Sequence, residues 1–129
     1  MCLLPRVAVP ALATLFLMPF AYAQSQADRT VLDGVFTEAQ AGRGEMQFAM
    51  NCAKCHEGAD VDGPPLTGDP FIDRWREDTL EGLFSFIRTR MPRDNPAKLS
   101  EAVYRDILAF LLAANDYPAG KSELGADSI

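Results

Sequence analysis

The residues with the clearest chemical signature form the run Cys52-Ala53-Lys54-Cys55-His56, a C-x-x-C-H sequence. Two thiols at this spacing can each add to a vinyl group of a haem and form two thioether bonds. The adjacent imidazole can then bind the iron as an axial ligand. The run therefore predicts covalent attachment of one c-type haem at Cys52 and Cys55, with His56 as an iron ligand.

Two other kinds of site share a C-x-x-C pair. A tetrahedral zinc site needs two further Cys or His ligands, but His56 is the only histidine of the chain and Cys2 is its only other cysteine. Zinc therefore fails on the ligand count. A thioredoxin-like redox pair needs an activated thiol in a βαβ setting, so this alternative depends on the secondary structure around the motif.

The first 23 residues are typical of a secretory signal peptide. Arg6 precedes the apolar run Val7–Phe20, and Ala-Tyr-Ala at 21–23 gives a small-x-small cleavage sequence. We therefore expect export to the periplasm. The apolar run is short for a membrane-spanning helix, and an uncleaved anchor is the alternative. Cleavage removes Cys2 and leaves both remaining cysteines in the motif, which argues against a disulfide framework.

Length and charge limit the possible classes of protein. The 129 residues carry a formal net charge of −6, which argues against a nucleic-acid-binding protein because such proteins present basic surfaces. After removal of the signal the chain has the length of one small domain. A domain of this size has a limited core of its own, and a large apolar macrocycle would supply much of its interior.

Helical periodicity predicts how the motif is positioned. Residues 37–40 fit a capping box, with Thr37 as the N-cap and the Gln40 side chain reaching back to it. A helix from about Glu38 to Cys52 should follow and carry the motif at its end. Its stripe of small and apolar residues has helical spacing: Ala41, Gly44, Phe48 and Cys52.

The rest of the chain also predicts helices joined by loops. The Gly- and Pro-rich stretch at 63–68 predicts a loop, and a short helical turn should follow at 71–76. The next helix should start with the run Asp78-Thr79-Leu80-Glu81 and end near Arg90, before Pro92. No stretch alternates as a strand would, so the pattern is all-α and disfavours the thioredoxin-like alternative.

A last helix should begin at Ser100 as its N-cap and end before Pro118. Its expected buried stripe consists of Tyr104, Ile107, Leu108, Leu111 and Leu112.

From about residue 37 to residue 120, the order of these features resembles the class I cytochromes c. The resemblance implies a cytochrome c fold, with about four to five helices wrapped around one covalent haem. Gly44 and Phe48 match the glycine and the aromatic residue of that family's first helix, and Ile107 and Phe110 match the positions of the last helix that cross them. A glycine at the crossing would let two helix backbones approach closely.

The resemblance also implies which residues surround the haem. Pro64 matches the loop proline whose carbonyl accepts the Nδ1–H of the ligand His56, with Pro65 as the adjacent rival. Leu66 matches a residue packed on the haem face. Trp75 matches an indole that donates to a haem propionate, and a plain core aromatic residue is the alternative.

A methionine is implied as the second axial ligand. Met91 follows the middle helix and precedes Pro92, where the family's ligand lies, whereas Met46 and Met50 lie on the first helix and cannot easily reach the opposite face. The sequence Arg90-Met91-Pro92 is further similar to that of small cytochrome c modules that serve periplasmic dehydrogenases.

These implications define a one-electron carrier and not an enzyme, because two filled axial positions leave no open site for oxygen or peroxide. The expected donor is a periplasmic dehydrogenase, and the expected acceptor is a terminal oxidase or another cytochrome. A tightly bound electron-transfer subunit of a dehydrogenase and a five-coordinate haem sensor or peroxidase are the alternatives. We expect a monomer or a subunit, with membrane contact only if the signal is retained.

The expected boundaries are a signal peptide at 1–23, a flexible lead-in at 24–36, the cytochrome c domain at 37–120 and a C-terminal tail at 121–129.

Overall fold

A computed structural model describes residues 30–59 and 61–128. It contains five α-helices: α1 (Glu38–Asn51), α2 (Ala53–His56), α3 (Asp69–Trp75), α4 (Leu80–Arg90) and α5 (Glu101–Ala114). Short 3-10 turns at Val31–Asp33 and Ala126–Ser128 flank them. The described residues contain no strand, which confirms the all-α prediction. The predicted signal peptide lies outside the described residues.

Side-chain caps set the starts of three helices, at Thr37 and Ser100 as predicted and also at Thr79. Hydroxyls of Thr37, Thr79 and Ser100 accept the N–H groups of residues three positions later, at the starts of α1, α4 and α5. Such caps satisfy donors that have no partner within the helix. No helix in the described ranges is both long enough and apolar enough to cross a membrane.

The second half of the predicted capping box is wrong. The Gln40 side chain does not return to Thr37 but bonds to the backbone of Leu124, donating from Nε2 to its carbonyl at 3.2 Å and accepting its N–H at 2.7 Å. Gln40 is only 2% exposed, and a buried amide requires partners for both of its polar atoms. The C-terminal segment provides both.

The central packing is that of α1 against α5. A Cβ built on Gly44 would lie 1.8 Å from the carbonyl oxygen of Asp106 and 2.9 Å from the Cβ of Phe110. The rings of Phe48 and Phe110 pack with their centroids 5.1 Å apart. The predicted close approach of the two helices is therefore confirmed, and its backbone contact is made by Asp106, one residue before the expected Ile107.

The core is built mainly from α5. All five predicted positions of its stripe are buried, and α4 adds three further buried side chains. The buried residues of these two helices include Tyr104, Ile107, Leu108, Leu111, Leu112, Leu83, Phe84 and Ile87.

Segments before α1 and after α5 belong to the same core. Val35 and Phe36 are 5% and 1% exposed, and Leu124 is 1% exposed. The N–H of Gly120 donates to the carbonyl of Phe36 at 2.6 Å. Nothing in the sequence indicated that Val35 and Phe36 are buried, because a pair of apolar residues is too short to show a periodicity. Residues 24–29 lie outside the described part.

Arg43 ties α1 to both α5 and the C-terminal segment. Its guanidinium donates twice to Asp106, at 3.1 Å each, and twice to Glu123, at 3.0 and 2.9 Å. The hydrogen bonds to Asp106, followed by those to Glu123, raise the pKa of Arg43 above its usual value. The bidentate geometry restricts the relative orientation of the two side chains more than a single contact would.

Candidate haem site

The C-x-x-C-H motif lies where α1 passes into α2. The N–H of Cys52 donates to the carbonyl of Phe48 at 2.8 Å and closes α1. The N–H groups of Cys55 and His56 then both donate to the Cys52 carbonyl, at 3.0 and 3.1 Å. These bonds fold the motif into one helical turn, so both thiols and the imidazole come from a compact, internally bonded piece of backbone.

The two thiols differ in their surroundings. Cys52 is half-buried against the core and Cys55 is exposed. Burial raises the pKa of Cys52 to about 11, with a further increase from Cys55 and an opposing effect of Lys98. The βαβ setting that a thioredoxin-like pair needs is absent from the described residues, which contain no strand. No group of three or more potential metal-binding side chains occurs in the described ranges.

The imidazole of His56 is oriented by the loop that follows the motif. Its Nδ1 lies 2.8 Å from the carbonyl oxygen of Pro64, and because a carbonyl can only accept, Nδ1 carries the proton of this bond. In the neutral ring Nε2 is then the nitrogen with a free lone pair, as a metal ligand requires. The structure thus selects Pro64 over Pro65 as the partner of His56.

Gly63 brings the loop backbone directly onto this histidine. A Cβ at Gly63 would lie 2.4 Å from the carbonyl oxygen of Cys55 and 2.7 Å from Nδ1 of His56. The N–H of Gly63 donates to the same Cys55 carbonyl at 2.8 Å. Only a residue without a side chain fits between them. The sequence predicted the Gly-Pro loop but did not single out Gly63 as a site residue. Its position immediately before Pro64 was the feature that could have indicated it.

Asn115, at the end of α5, holds the next part of this loop. Its Nδ2 donates to the carbonyls of Leu66 and Leu111, at 2.9 and 2.8 Å, and its Oδ1 accepts the N–H of Gly68 at 2.9 Å. Leu66 is half-buried against the core. The predicted haem-facing residue thus lies in a loop fixed to α5 by a side chain that sequence reasoning did not single out as a site residue.

Trp75 ends α3 and is half-buried against the core. Its ring meets Phe86 edge to face with centroids 5.2 Å apart, and the Arg74 guanidinium lies 4.3 Å from its ring centroid. Arg74 also lies 3.8 Å from a carboxylate oxygen of Asp78. These contacts give Trp75 a packing role, and its bond to a haem propionate remains a prediction from the resemblance.

Met91 lies immediately after α4 and packs half-buried against the core. Its N–H donates to the carbonyl of Ile87 at 3.0 Å, and its own carbonyl accepts the hydroxyl of Tyr104 at 2.8 Å. Met46 and Met50 are 61% and 69% exposed. Of the three methionines described, Met91 is the one whose side chain packs against the core.

The donor set fits a c-type haem. Cys52 and Cys55 would form the thioethers, and His56 would bind the iron through Nε2, because its Nδ1 already bonds to Pro64. The hydrogen bond to Pro64 favours this orientation of the imidazole. Together with the all-helical fold, this arrangement defines a c-type cytochrome domain.

Residues 39–111 match the family described as cytochrome C oxidase, cbb3-type, subunit III. The match covers more than half of the chain, which therefore belongs to this family. It extends from α1 into α5 and includes both the C-x-x-C-H motif and Met91. The chain accordingly binds covalent haem c and takes part in haem-based electron transfer. Comparison with curated proteins and with solved structures gave no match.

Proposed function

We propose that this protein is an exported one-electron carrier with a single haem c, held by Cys52 and Cys55 and ligated by His56 and Met91. When bound, the haem supplies the redox chemistry by changing between its ferric and ferrous states. The observation that best supports the ligation is the hydrogen bond from His56 to Pro64, because it leaves Nε2 as the ring nitrogen able to bind iron.

The residues of the chain then determine how the iron behaves. The carbonyl of Pro64 makes the His56 imidazole a stronger electron donor. The thioether of Met91 is a soft ligand that favours the reduced iron and raises the reduction potential. With both axial positions occupied, oxygen and peroxide have no site at the iron, which supports a carrier rather than an enzyme.

The positions of the positive side chains that form no ion pair support the proposal of a surface on which redox partners bind. In the described ranges Arg88 pairs with Glu101, and Arg74 and Arg76 pair with carboxylates of their own segment. Five other cations in those ranges have no acidic partner. One of them is Lys121 in the C-terminal segment, and we name the other four the basic rim: Lys54, Arg90, Arg93 and Lys98.

The basic rim borders the candidate haem site. Lys54 lies within the motif, Arg90 and Arg93 flank Met91 by one and two residues, and the charge of Lys98 acts on Cys52. In an acidic chain, this local excess of positive charge would attract partners with acidic surfaces and would mainly increase the association rate.

The partners are proposed by class. A periplasmic dehydrogenase is the proposed donor, and a terminal oxidase or another cytochrome is the proposed acceptor. The family description names a cytochrome c oxidase subunit, which favours an oxidase on the acceptor side. A carrier should elute alone at moderate salt, because surface charge contacts are screened there, whereas a permanent subunit should co-purify with its enzyme.

Haem attachment and ligation can be tested on the purified protein. Haem should stay with the polypeptide in acid acetone and on a denaturing gel, and Cys52→Ala with Cys55→Ala should abolish this. The reduced protein should bind carbon monoxide slowly, because Met91 occupies the sixth position. Rapid carbon monoxide binding by the unmodified protein would favour the five-coordinate sensor or peroxidase instead.

A further inference from the structure

Tyr104 of α5 and Asn115, its C-cap residue, bond to the two segments that carry the proposed axial ligands. The hydroxyl of Tyr104 donates to the carbonyl of Met91. Asn115, just past the other end of α5, bonds to Leu66 and Gly68 in the loop whose Pro64 carbonyl accepts from His56. The helix itself carries none of the proposed ligands.

We infer that Tyr104 and Asn115 are positioning residues, each fixing one axial-ligand segment to α5, so that this helix sets the separation of the two ligands. This inference rests on the proposed ligation by His56 and Met91.

The amide of Asn115 donates two hydrogen bonds from Nδ2 and accepts one at Oδ1. One N–H of Nδ2 bonds to Leu111 within α5 and anchors the side chain, and the other reaches Leu66, while Oδ1 accepts from Gly68. Leu66 and Gly68 follow Pro64 by two and four residues, so the loop is held immediately beyond the carbonyl that orients His56. Removing the amide would free that carbonyl to move away from Nδ1.

Tyr104 acts on the other segment. It is 1% exposed, and a buried hydroxyl needs a partner, which here is the Met91 carbonyl at 2.8 Å. The N–H of Met91 is already bonded within α4. Both backbone polar groups of Met91 are therefore fixed, one by α4 and one by α5, and the direction in which its side chain leaves the backbone is fixed with them.

The test uses Asn115→Leu and Tyr104→Phe in the haem-loaded protein, with Gln40→Leu as the matched control. Gln40 is a buried amide that also bonds to distant main chain, but its partner is Leu124 and not a ligand segment. Three quantities are measured for each variant. They are the free energy of unfolding, the solvent exchange of the His56 Nδ1 proton by NMR, and the weak red absorption band of a bond between ferric iron and the Met91 sulfur, which we call the thioether band.

Asn115→Leu should accelerate exchange of the His56 Nδ1 proton about tenfold, as expected when a supporting hydrogen bond of typical net strength is lost, and it should retain the thioether band. Tyr104→Phe should weaken the thioether band and leave the exchange unchanged. Asn115→Asp, which keeps the acceptor for Gly68 but loses the donors, should give an intermediate exchange rate. Gln40→Leu should lower stability and change neither spectroscopic signal.

The inference is overturned if Asn115→Leu and Tyr104→Phe lower stability without changing either signal, or if Gln40→Leu changes them equally. Tyr104→Phe retains the ring and its packing, so its band can be measured in a folded protein. A failure of the proposed ligation itself would be visible separately, because the unmodified ferric protein would then lack the thioether band or Met91→Ala would retain it.

Discussion

The carbonyl oxygen of Asp106 on α5 occupies the position where a side chain on Gly44 of α1 would begin. A Cβ at Gly44 would lie 1.8 Å from that oxygen and 2.5 Å from the carbonyl carbon. Both obstructing atoms are backbone atoms of a buried helix, so no rotamer change can relieve the overlap. The two helices can cross at this distance only if residue 44 is glycine.

Gly44→Ala should therefore lower the free energy of unfolding by at least about 1–3 kcal/mol, because α1 and α5 must separate to admit one methyl group. Gly42→Ala is the control on the same helix, since a Cβ there meets nothing within 4 Å, and it should be neutral or up to about 1 kcal/mol stabilising. Denaturant unfolding of both variants measures the difference. Equal effects at the two positions would mean that the crossing is looser than described.

Gly63→Ala should disturb the proposed histidine ligand. A Cβ would collide with the Cys55 carbonyl and with the His56 ring, and the loop would have to withdraw its Pro64 carbonyl from Nδ1. The imidazole would become a weaker donor to ferric iron, so the reduction potential should rise. Potentiometric titration measures it. Gly125→Ala, where the nearest atom lies at 4.0 Å, should leave the potential unchanged, and an equal shift there would contradict this explanation.

Leu124→Ala should show that the C-terminal segment is part of the folded domain. Leu124 is 1% exposed, and a buried Leu→Ala change typically costs about 2–5 kcal/mol. Leu32→Ala is the control, because Leu32 is 69% exposed, and its effect should stay within about 0.5 kcal/mol. Thermal unfolding compares the two. If Leu124→Ala were as mild as Leu32→Ala, the domain would end before this segment.

Much of the fold was predictable because helices leave local signals. The caps at Thr37 and Ser100 and the buried stripe of α5 follow from spacings within one or two turns. The C-x-x-C-H motif was equally readable, since its chemistry requires those residue types at that spacing.

The parts that could not be predicted depend on long-range bonds between a side chain and the backbone. Gln40 bonds to a residue 84 positions away, and Asn115 bonds to the loop at Leu66, 49 positions away. No periodicity marks either pair, and local spacing suggested a capping box for Gln40 instead. The hydrogen bond from the Tyr104 hydroxyl to Met91 could not be predicted either, because the position of Tyr104 in the apolar stripe indicated only that it is buried.

The basic rim can be tested with small inorganic oxidants of opposite charge. Arg93→Glu should slow oxidation of the reduced protein by anionic ferricyanide and accelerate oxidation by a cationic cobalt phenanthroline complex, with both effects fading as salt is added. Lys121→Glu makes the same charge change in the C-terminal segment and is the control. If the two variants behaved alike, net charge rather than a local rim would govern the rates.

The central claim is that Met91 completes the coordination of a covalent haem, and the absorption spectrum of the ferric Met91→Ala variant tests it most directly. The unmodified ferric protein should show the weak red band of a bond between iron and the methionine sulfur. Met91→Ala should lose this band while its haem stays attached on a denaturing gel, and Met46→Ala and Met50→Ala should keep it. A band that survives in Met91→Ala, or that disappears in either control, would contradict the account.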